Sequence, residues 1–95
     1  MKRLDYRADA VADLRQIARD TRAAWGESQA AKYASRLRDH IKSLREFPER
    51  FPEFEERPGL RRMNSGRHAV FYRVFDDRIE VVRVLHVAQD FRMWI

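Results

Sequence analysis

The sequence predicts an α+β domain in the order β-αα-βββ, with a small antiparallel sheet packed against an N-terminal helical hairpin. Three observations predict it. Apolar residues recur at helical spacing through two adjoining stretches of the first half. The last third is dense in β-branched and aromatic residues and is broken by two short turn signals. All three prolines fall between these regions. Helices followed by strands, rather than alternating with them, segregate to one side of a sheet whose neighbours run antiparallel. The 95 residues suffice for one compact domain, residues 1–95, and are too few for two.

Residues 2–6 (Lys2-Arg3-Leu4-Asp5-Tyr6) read as a short first strand. The first helix runs from Ala8 to Ala24, with Val11, Leu14, Ile17, Ala18 and Thr21 on one stripe. Asp9 and Asp13 sit near its positive end, where carboxylates are favoured. Trp25-Gly26 stops it, because glycine readily adopts the left-handed backbone that ends a helix. The second helix runs from Ser28 to Phe47. Its apolar stripe is Ala30, Tyr33, Ala34, Leu37, Ile41 and Leu44, and Lys32, Arg36, Asp39, Lys42 and Glu46 fill the other side. Pro48 ends it. Two helices joined at Gly26 form an antiparallel hairpin.

Residues 48–59 read as a loop, pinned by Phe51 and Phe54. Strands are expected over Leu60–Ser65, His68–Phe75 and Ile79–Val87, with turns at Gly66-Arg67 and Asp76-Asp77-Arg78. Both faces of the last two strands are largely apolar, so at least one strand is central and covered. The tail from Ala88 to Ile95 suits a final helical turn in which Phe91, Met93 and Trp94 seek cover.

Seventeen of the twenty basic residues are arginine, and the net charge is +5. Arginine's flat five-donor fork suits phosphates, carboxylates and stacked bases, so an anionic partner is expected. From Arg57 onward eight basic residues stand against four acidic ones, which puts +4 of the +5 there. There is no cysteine, so disulfides, thiolate metal sites and cysteine nucleophiles are excluded. No apolar run follows Met1, and neither a signal peptide nor a membrane span is expected; a reducing cytoplasm fits. Three widely spaced glycines make no phosphate loop, and His40, His68 and His86 form no metal-binding pair. No metal and no cofactor are therefore expected.

The candidate chemistry is the arginine set Arg61, Arg62, Arg67, Arg73 and Arg83, with His68 and His86. A guanidinium inside an apolar strand must be paired or must face an anion. Arg73 and Arg83 could grip phosphates or stabilise charge in phosphoryl transfer, and His86 could move a proton. Equally, Arg73 and Arg83 could pair with Asp76, Glu80 or loop carboxylates. Two registers are open for the last hairpin. A three-residue turn puts Arg73 and Arg83 on one face with Phe71 and Leu85, and His86 opposite. A two-residue turn puts Arg73 with His86, and Arg83 with Tyr72. A slip of one residue flips every side chain.

Six local motifs occur in order along nearly the whole chain. They are Ala12-Asp13-Leu14-Arg15-Gln16-Ile17, Trp25-Gly26-Glu27-Ser28-Gln29-Ala30, Pro58-Gly59-Leu60-Arg61-Arg62, Ser65-Gly66-Arg67-His68, Val70-Phe71-Tyr72-Arg73-Val74 and Ile79-Glu80-Val81-Val82-Arg83-Val84-Leu85-His86. Together with the β-αα-βββ order they resemble the RelE/ParE superfamily of toxins, and in wording its ParE branch. The resemblance implies the toxin of a type II toxin–antitoxin system, inhibiting DNA gyrase without being an enzyme and neutralised by a cognate ParD-like antitoxin. RelE-like relatives instead cleave messenger RNA on the ribosome, and Arg62, Arg83 and His86 are the residues in place for that alternative. Lysines are absent from the sheet region, and the chain ends Phe91-Arg92-Met93-Trp94-Ile95 without tyrosine or histidine. Both departures favour the ParE branch. A degenerate toxin that serves only as the antitoxin's partner is a third reading. The implied contact surface for antitoxin or target comprises Trp25, Tyr33, Leu37, Arg61, Arg62, Arg67, Arg73 and Arg83. For Leu14 and Leu37 ordinary core is the favoured reading, and Trp25 could simply cap the hairpin.

Overall fold

The computed structural model describes every residue, Met1–Ile95. The elements are β1 (Arg3–Tyr6), α1 (Ala8–Trp25), α2 (Glu27–Ser43), β2 (Glu53–Phe54), β3 (Arg57–Ser65), β4 (His68–Val74), β5 (Arg78–His86) and a closing 3-10 turn at Phe91–Met93. The five strands lie in the order β1-β5-β4-β3-β2. The expected α+β arrangement is present, with two differences in the sheet.

First, β1 joins β5 in parallel, with Leu4 beside Ile79 and Tyr6 beside Val81. A parallel partner needs a long crossover, and the helical hairpin with the later strands supplies it. Second, the expected loop contains β2 and the start of β3, because Glu53 and Phe54 pair back onto Arg61 and Arg57. Prolines had marked this stretch as loop. Pro52 precedes β2, and Pro58 has no partner in either ladder of β3, so the missing amides remove no ladder bond.

Gly26 alone joins the helices, at φ 84°, and its amide bonds Arg22 O at 2.9 Å. α2 ends at Ser43, earlier than the expected Phe47. Leu44, Arg45 and Glu46 continue the spiral with tighter bonds to the third residue back. That winding is common at helix ends, and Pro48 cannot extend it.

Two apolar cores flank the sheet. The first lies under the helices and joins Ile17, Leu37 and Ile41 to Met63, Val70, Tyr72, Ile79, Val81 and Val84. The second joins Leu60, Ala69, Phe71, Val82, Leu85 and Phe91 on the other face. Phe51 packs on the first core and Phe54 on the second, so the two phenylalanines do pin the intervening segment. Phe54 and Phe91 stack at 4.5 Å, and Phe71 lies 5.4 Å from Phe91. The tail therefore covers the second face through Phe91. Contrary to expectation Met93 stays 79% and Trp94 49% exposed, because the short turn directs only Phe91 of the three inward.

The hairpin of β4 and β5 contains both registers that the sequence left open. Near the turn Val74 pairs with Ile79 and Tyr72 with Val81, the two-residue register. Beyond a bulge, Phe71 pairs with Arg83 and His68 with His86, the three-residue register. Val82 is the extra residue. It points into the second core, as does the neighbouring Leu85, while Val81 and Val84 point into the first. A bulge is how one strand changes phase without breaking the sheet. The side chains consequently take the faces of the three-residue reading. Arg73 and Arg83 lie on the Phe71 side, and His86 lies on the other.

Candidate functional site

Past Val81, β5 has no strand on its outer side, since β1 leaves the sheet there through Arg7 N–H to Val81 O at 2.9 Å. Side chains cover this edge instead. Asp13 of α1 accepts the Val84 amide at 3.0 Å, and Gln89 accepts the His86 amide at 2.9 Å. Capping by side chains blunts an edge that would otherwise recruit another strand. Between α1 and this edge runs a groove of about 420 Å³ that reaches Trp25, Arg67, His68 and His86 at one end.

Arg83 does not face an open anion site. Its guanidinium meets Asp13 as a fork, Nε to Oδ2 at 2.7 Å and Nη2 to Oδ1 at 2.8 Å. Both side chains are about 15% exposed or less. The hydrogen bonds and charge of Asp13 hold the Arg83 pKa above its ordinary value. Trp94 lies over the same guanidinium at 5.5 Å. Asp13 was read only as a helix-dipole residue. It falls between Ala10 and Ile17 on the inward stripe, and an acid there calls for a cation.

Of the three residues considered for RNA cleavage, Arg83 and His86 both line the groove, but Arg62 does not. Arg62 and Arg83 flank Phe71 on the second face, one on each neighbouring strand. The Arg62 guanidinium lies 5.5 Å over the Phe71 ring and bonds Asn64. His86 projects from the opposite face.

The remaining arginines divide by role. Arg61 bonds Phe51 O at 2.5 Å and pairs with Glu53, tying down the segment that precedes β3. Arg73 bonds Pro58 O at 3.1 Å rather than any carboxylate. Arg67, at the tip of the β3–β4 turn, has no carboxylate partner and stacks 4.9 Å over Trp25. Leu37 is 3% exposed and belongs to the core, where it also lines the floor of the crevice between the helices.

Trp25, Tyr33, His68 and His86 form a chain of edge-to-face rings with centroids 5.6, 5.5 and 5.7 Å apart. Tyr33 Oη lies 2.5 Å from His68 Nδ1 and accepts the Arg67 amide at 3.0 Å. Gly66 makes this approach possible. Its φ is +57°, and a Cβ there would stand 2.7 Å from the Tyr33 ring. Positive φ at the first central residue of a two-residue hairpin loop is the type II′ pattern. Burial lowers the His68 pKa, helped by His86 and Arg67 and opposed by Asp20. His40 Nδ1 meets the buried Ser65 Oγ at 2.6 Å, a contact without any signal in the sequence pattern.

A second groove, about 460 Å³, opens between the helices. Val11, Leu14, Ala18, Tyr33 and Ala34 line it, and Arg15 and Arg38 stand at its rim. The helical stripes thus bury only their inner half, and Leu14 is half-buried. No helix is long and apolar enough to cross a membrane.

A helical hairpin on one face of this sheet, with its outer crevice left apolar, defines the fold of a type II toxin. A chain from the chromosomal ParDE TA system of P. aeruginosa has the same fold, with a TM-score of 0.80 at 23% identity over 92% of this chain and 97% of that one. The family model for the ParE toxin of type II toxin–antitoxin system, parDE, matches residues 4–91, and the chain belongs to that family. Toxin ParE1 of Caulobacter vibrioides is 43% identical over 84 residues, covering 87% of this chain and 86% of the relative. Toxin ParE1 of Mycobacterium tuberculosis is 39% identical over 83 residues, covering 85% of each.

Proposed function

We propose that this ParE-family toxin acts in the cytoplasm by inhibiting DNA gyrase, without catalysing a reaction, and is silenced by a cognate ParD-like antitoxin. Membership of the family over residues 4–91 is the observation that carries the reading. The engagement of Arg83 by Asp13, and the position of Arg62 outside the groove that Arg83 and His86 line, support inhibition over RNA cleavage, because general acid–base chemistry needs its groups free and within reach of one reacting centre.

The crevice between the helices suits the antitoxin. Its floor is apolar and its rim carries Arg15 and Arg38, so an amphipathic helix with acidic flanks is complementary. Such segments commonly order only on binding.

Plasmid supercoiling by purified gyrase tests the reading. The toxin is expected to inhibit it in proportion to concentration, and an equimolar antitoxin to restore it. Unimpaired supercoiling at saturating toxin would refute gyrase as the target. Codon-phased transcript cuts after induction would replace this reading with ribosome-dependent cleavage. Normal growth with folded toxin alone would indicate a degenerate partner.

A further inference from the structure

Beyond that reading, the end of the molecule around Trp25 carries a second kind of site. Trp25 is 36% exposed and sits between two depressions. On one side lies the groove with Arg67, His68 and His86. On the other lies a hollow lined by Gln29, Lys32 and Arg36 of α2. Arg67, Lys32 and Arg36 make no ion pair within the chain, whereas Arg61, Arg62, Arg73, Arg83 and Arg92 each have a carboxylate, carbonyl or amide partner. An aromatic ring is therefore bracketed by unneutralised cations.

The histidines add directed donors. The Ala88 amide donates to His86 Nδ1 at 3.1 Å. An accepting nitrogen carries no proton, so neutral His86 is protonated at Nε2 and presents an N–H donor. The Tyr33 hydroxyl lies 2.5 Å from His68 Nδ1 and 3.2 Å from Ser65 O, and with its proton on the nearer of the two His68 presents an Nε2–H donor too. Neutral imidazoles fixed this way bind an acceptor-only group. A metal at His86 Nε2 would need a proton on Nδ1, where the Ala88 amide already points. Asp20 also lines the groove as a carboxylate, its Oδ1 accepting from the Gln16 amide at 2.8 Å, so phosphates are held on the Arg67 and His86 side of it.

We propose that the surface from Lys32 and Arg36 across Trp25 to Arg67 and His86 binds single-stranded nucleic acid. One base stacks on the Trp25 face that Arg67 now covers, and the freed guanidinium moves to the adjoining phosphate. Phosphates on either side meet the histidine N–H groups and the α2 cations. An aromatic platform between cationic flanks is the pattern by which unpaired strands are held without sequence readout. An acidic peptide would match the charges but leave the ring without a planar partner, and a duplex hides the base faces.

The test is titration of the full chain into a fluorescein-labelled twelve-nucleotide oligothymidylate, read by anisotropy. A Trp94→Phe background leaves Trp25 as the sole tryptophan reporter. Binding is expected at roughly 1–100 µM near physiological salt, weakening with a log–log salt slope of about −0.7 per phosphate held. Trp25 emission should quench in step with anisotropy. Trp25→Ala should weaken binding about five- to a hundred-fold, and Trp25→Phe far less. Arg67→Ala, or Lys32→Ala with Arg36→Ala, should reduce the salt slope. Circular dichroism melts check that these surface variants remain folded. No anisotropy change over that range, binding unaltered in Trp25→Ala, displacement by an equally charged glutamate peptide that also quenches Trp25, or tighter binding of duplex would each overturn the proposal.

Discussion

Asp13 of α1 holds Arg83 of β5 through two parallel hydrogen bonds of 2.7 and 2.8 Å and caps the Val84 amide with the same carboxylate. One side chain thus neutralises a cation and closes an open sheet edge. Asp13→Asn is expected to destabilise the fold by about 3 kcal/mol, because it strands a poorly solvated guanidinium. Arg83→Met should cost less, since Asp13 keeps the Val84 amide. The double variant should show a coupling of about 1–3 kcal/mol in urea denaturation. Strictly additive losses would mean that the fork contributes nothing beyond its parts.

Gly66 and Tyr33 form a second coupled pair. Gly66→Ala introduces a Cβ 2.7 Å from the Tyr33 ring at a φ of +57°. Left-handed backbone alone costs alanine about 1–2 kcal/mol, and the steric conflict adds to it. In a Tyr33→Ala background the same change should cost only the backbone part. Equal losses in both backgrounds, measured by chemical denaturation, would show that the ring yields freely.

The Tyr72 hydroxyl donates to Pro48 O at 2.8 Å, anchoring the exit of α2 to the central strand. Tyr72→Phe should lose about 1 kcal/mol. Burial pushes the Tyr72 phenol up to about 12 from its ordinary 10. The unfolded chain therefore loses this proton first, and stability falls as pH rises from about 10 towards 12. Absorbance titration of the phenols should show a late-ionising step that Tyr72→Phe abolishes.

His68 works in the opposite range. Burial, His86 and Arg67 hold its pKa below the usual 6.5, so the folded state resists a proton that the unfolded chain accepts. Stability therefore falls as pH drops below about 6.5, through the folded-state pKa. Thermal melts from pH 7.5 to 5.5 should show this decline, and His68→Gln should flatten it. An identical slope in the variant would assign the effect to other groups.

The interhelix crevice gives a functional prediction. Ala34 lines it beside Arg38, and glutamate there would meet an acidic partner with like charge. Ala34→Glu should weaken antitoxin binding by ten-fold or more, about 1.4 kcal/mol, while growth inhibition by the toxin alone persists. Unchanged antitoxin affinity by calorimetry would place the partner elsewhere.

Much of this was legible in the residues. The α2 stripe from Ala30 to Leu44 and the break at Gly26 are local signals, and both hold in the structure, whereas α2 ends at Ser43, before the expected stop at Pro48. The ordered motifs located the family. The site was less legible. Leu37 is offered by the sequence both as core and as contact, because periodicity marks a stripe without saying which half of it the sheet covers. Arg83 was assigned to an anion, and its anion proved to be Asp13, seventy residues away. His68 and Tyr33 were visible singly, yet their contact depends on how closely Gly66 lets the turn approach α2.

The sequence by itself determined the class of fold, the order of helices and strands, and the family, because periodicity, turn chemistry and motif order are properties of neighbouring residues. Only the tertiary structure decided that β1 runs parallel to β5, that Val82 bulges, and that Arg83 and His86 lie on opposite faces. The physical reason is the two-residue period of a strand. A shift of one position exchanges its faces, and the shift at Val82 is set by two cores competing for Val81, Val82 and Val84 rather than by any local preference.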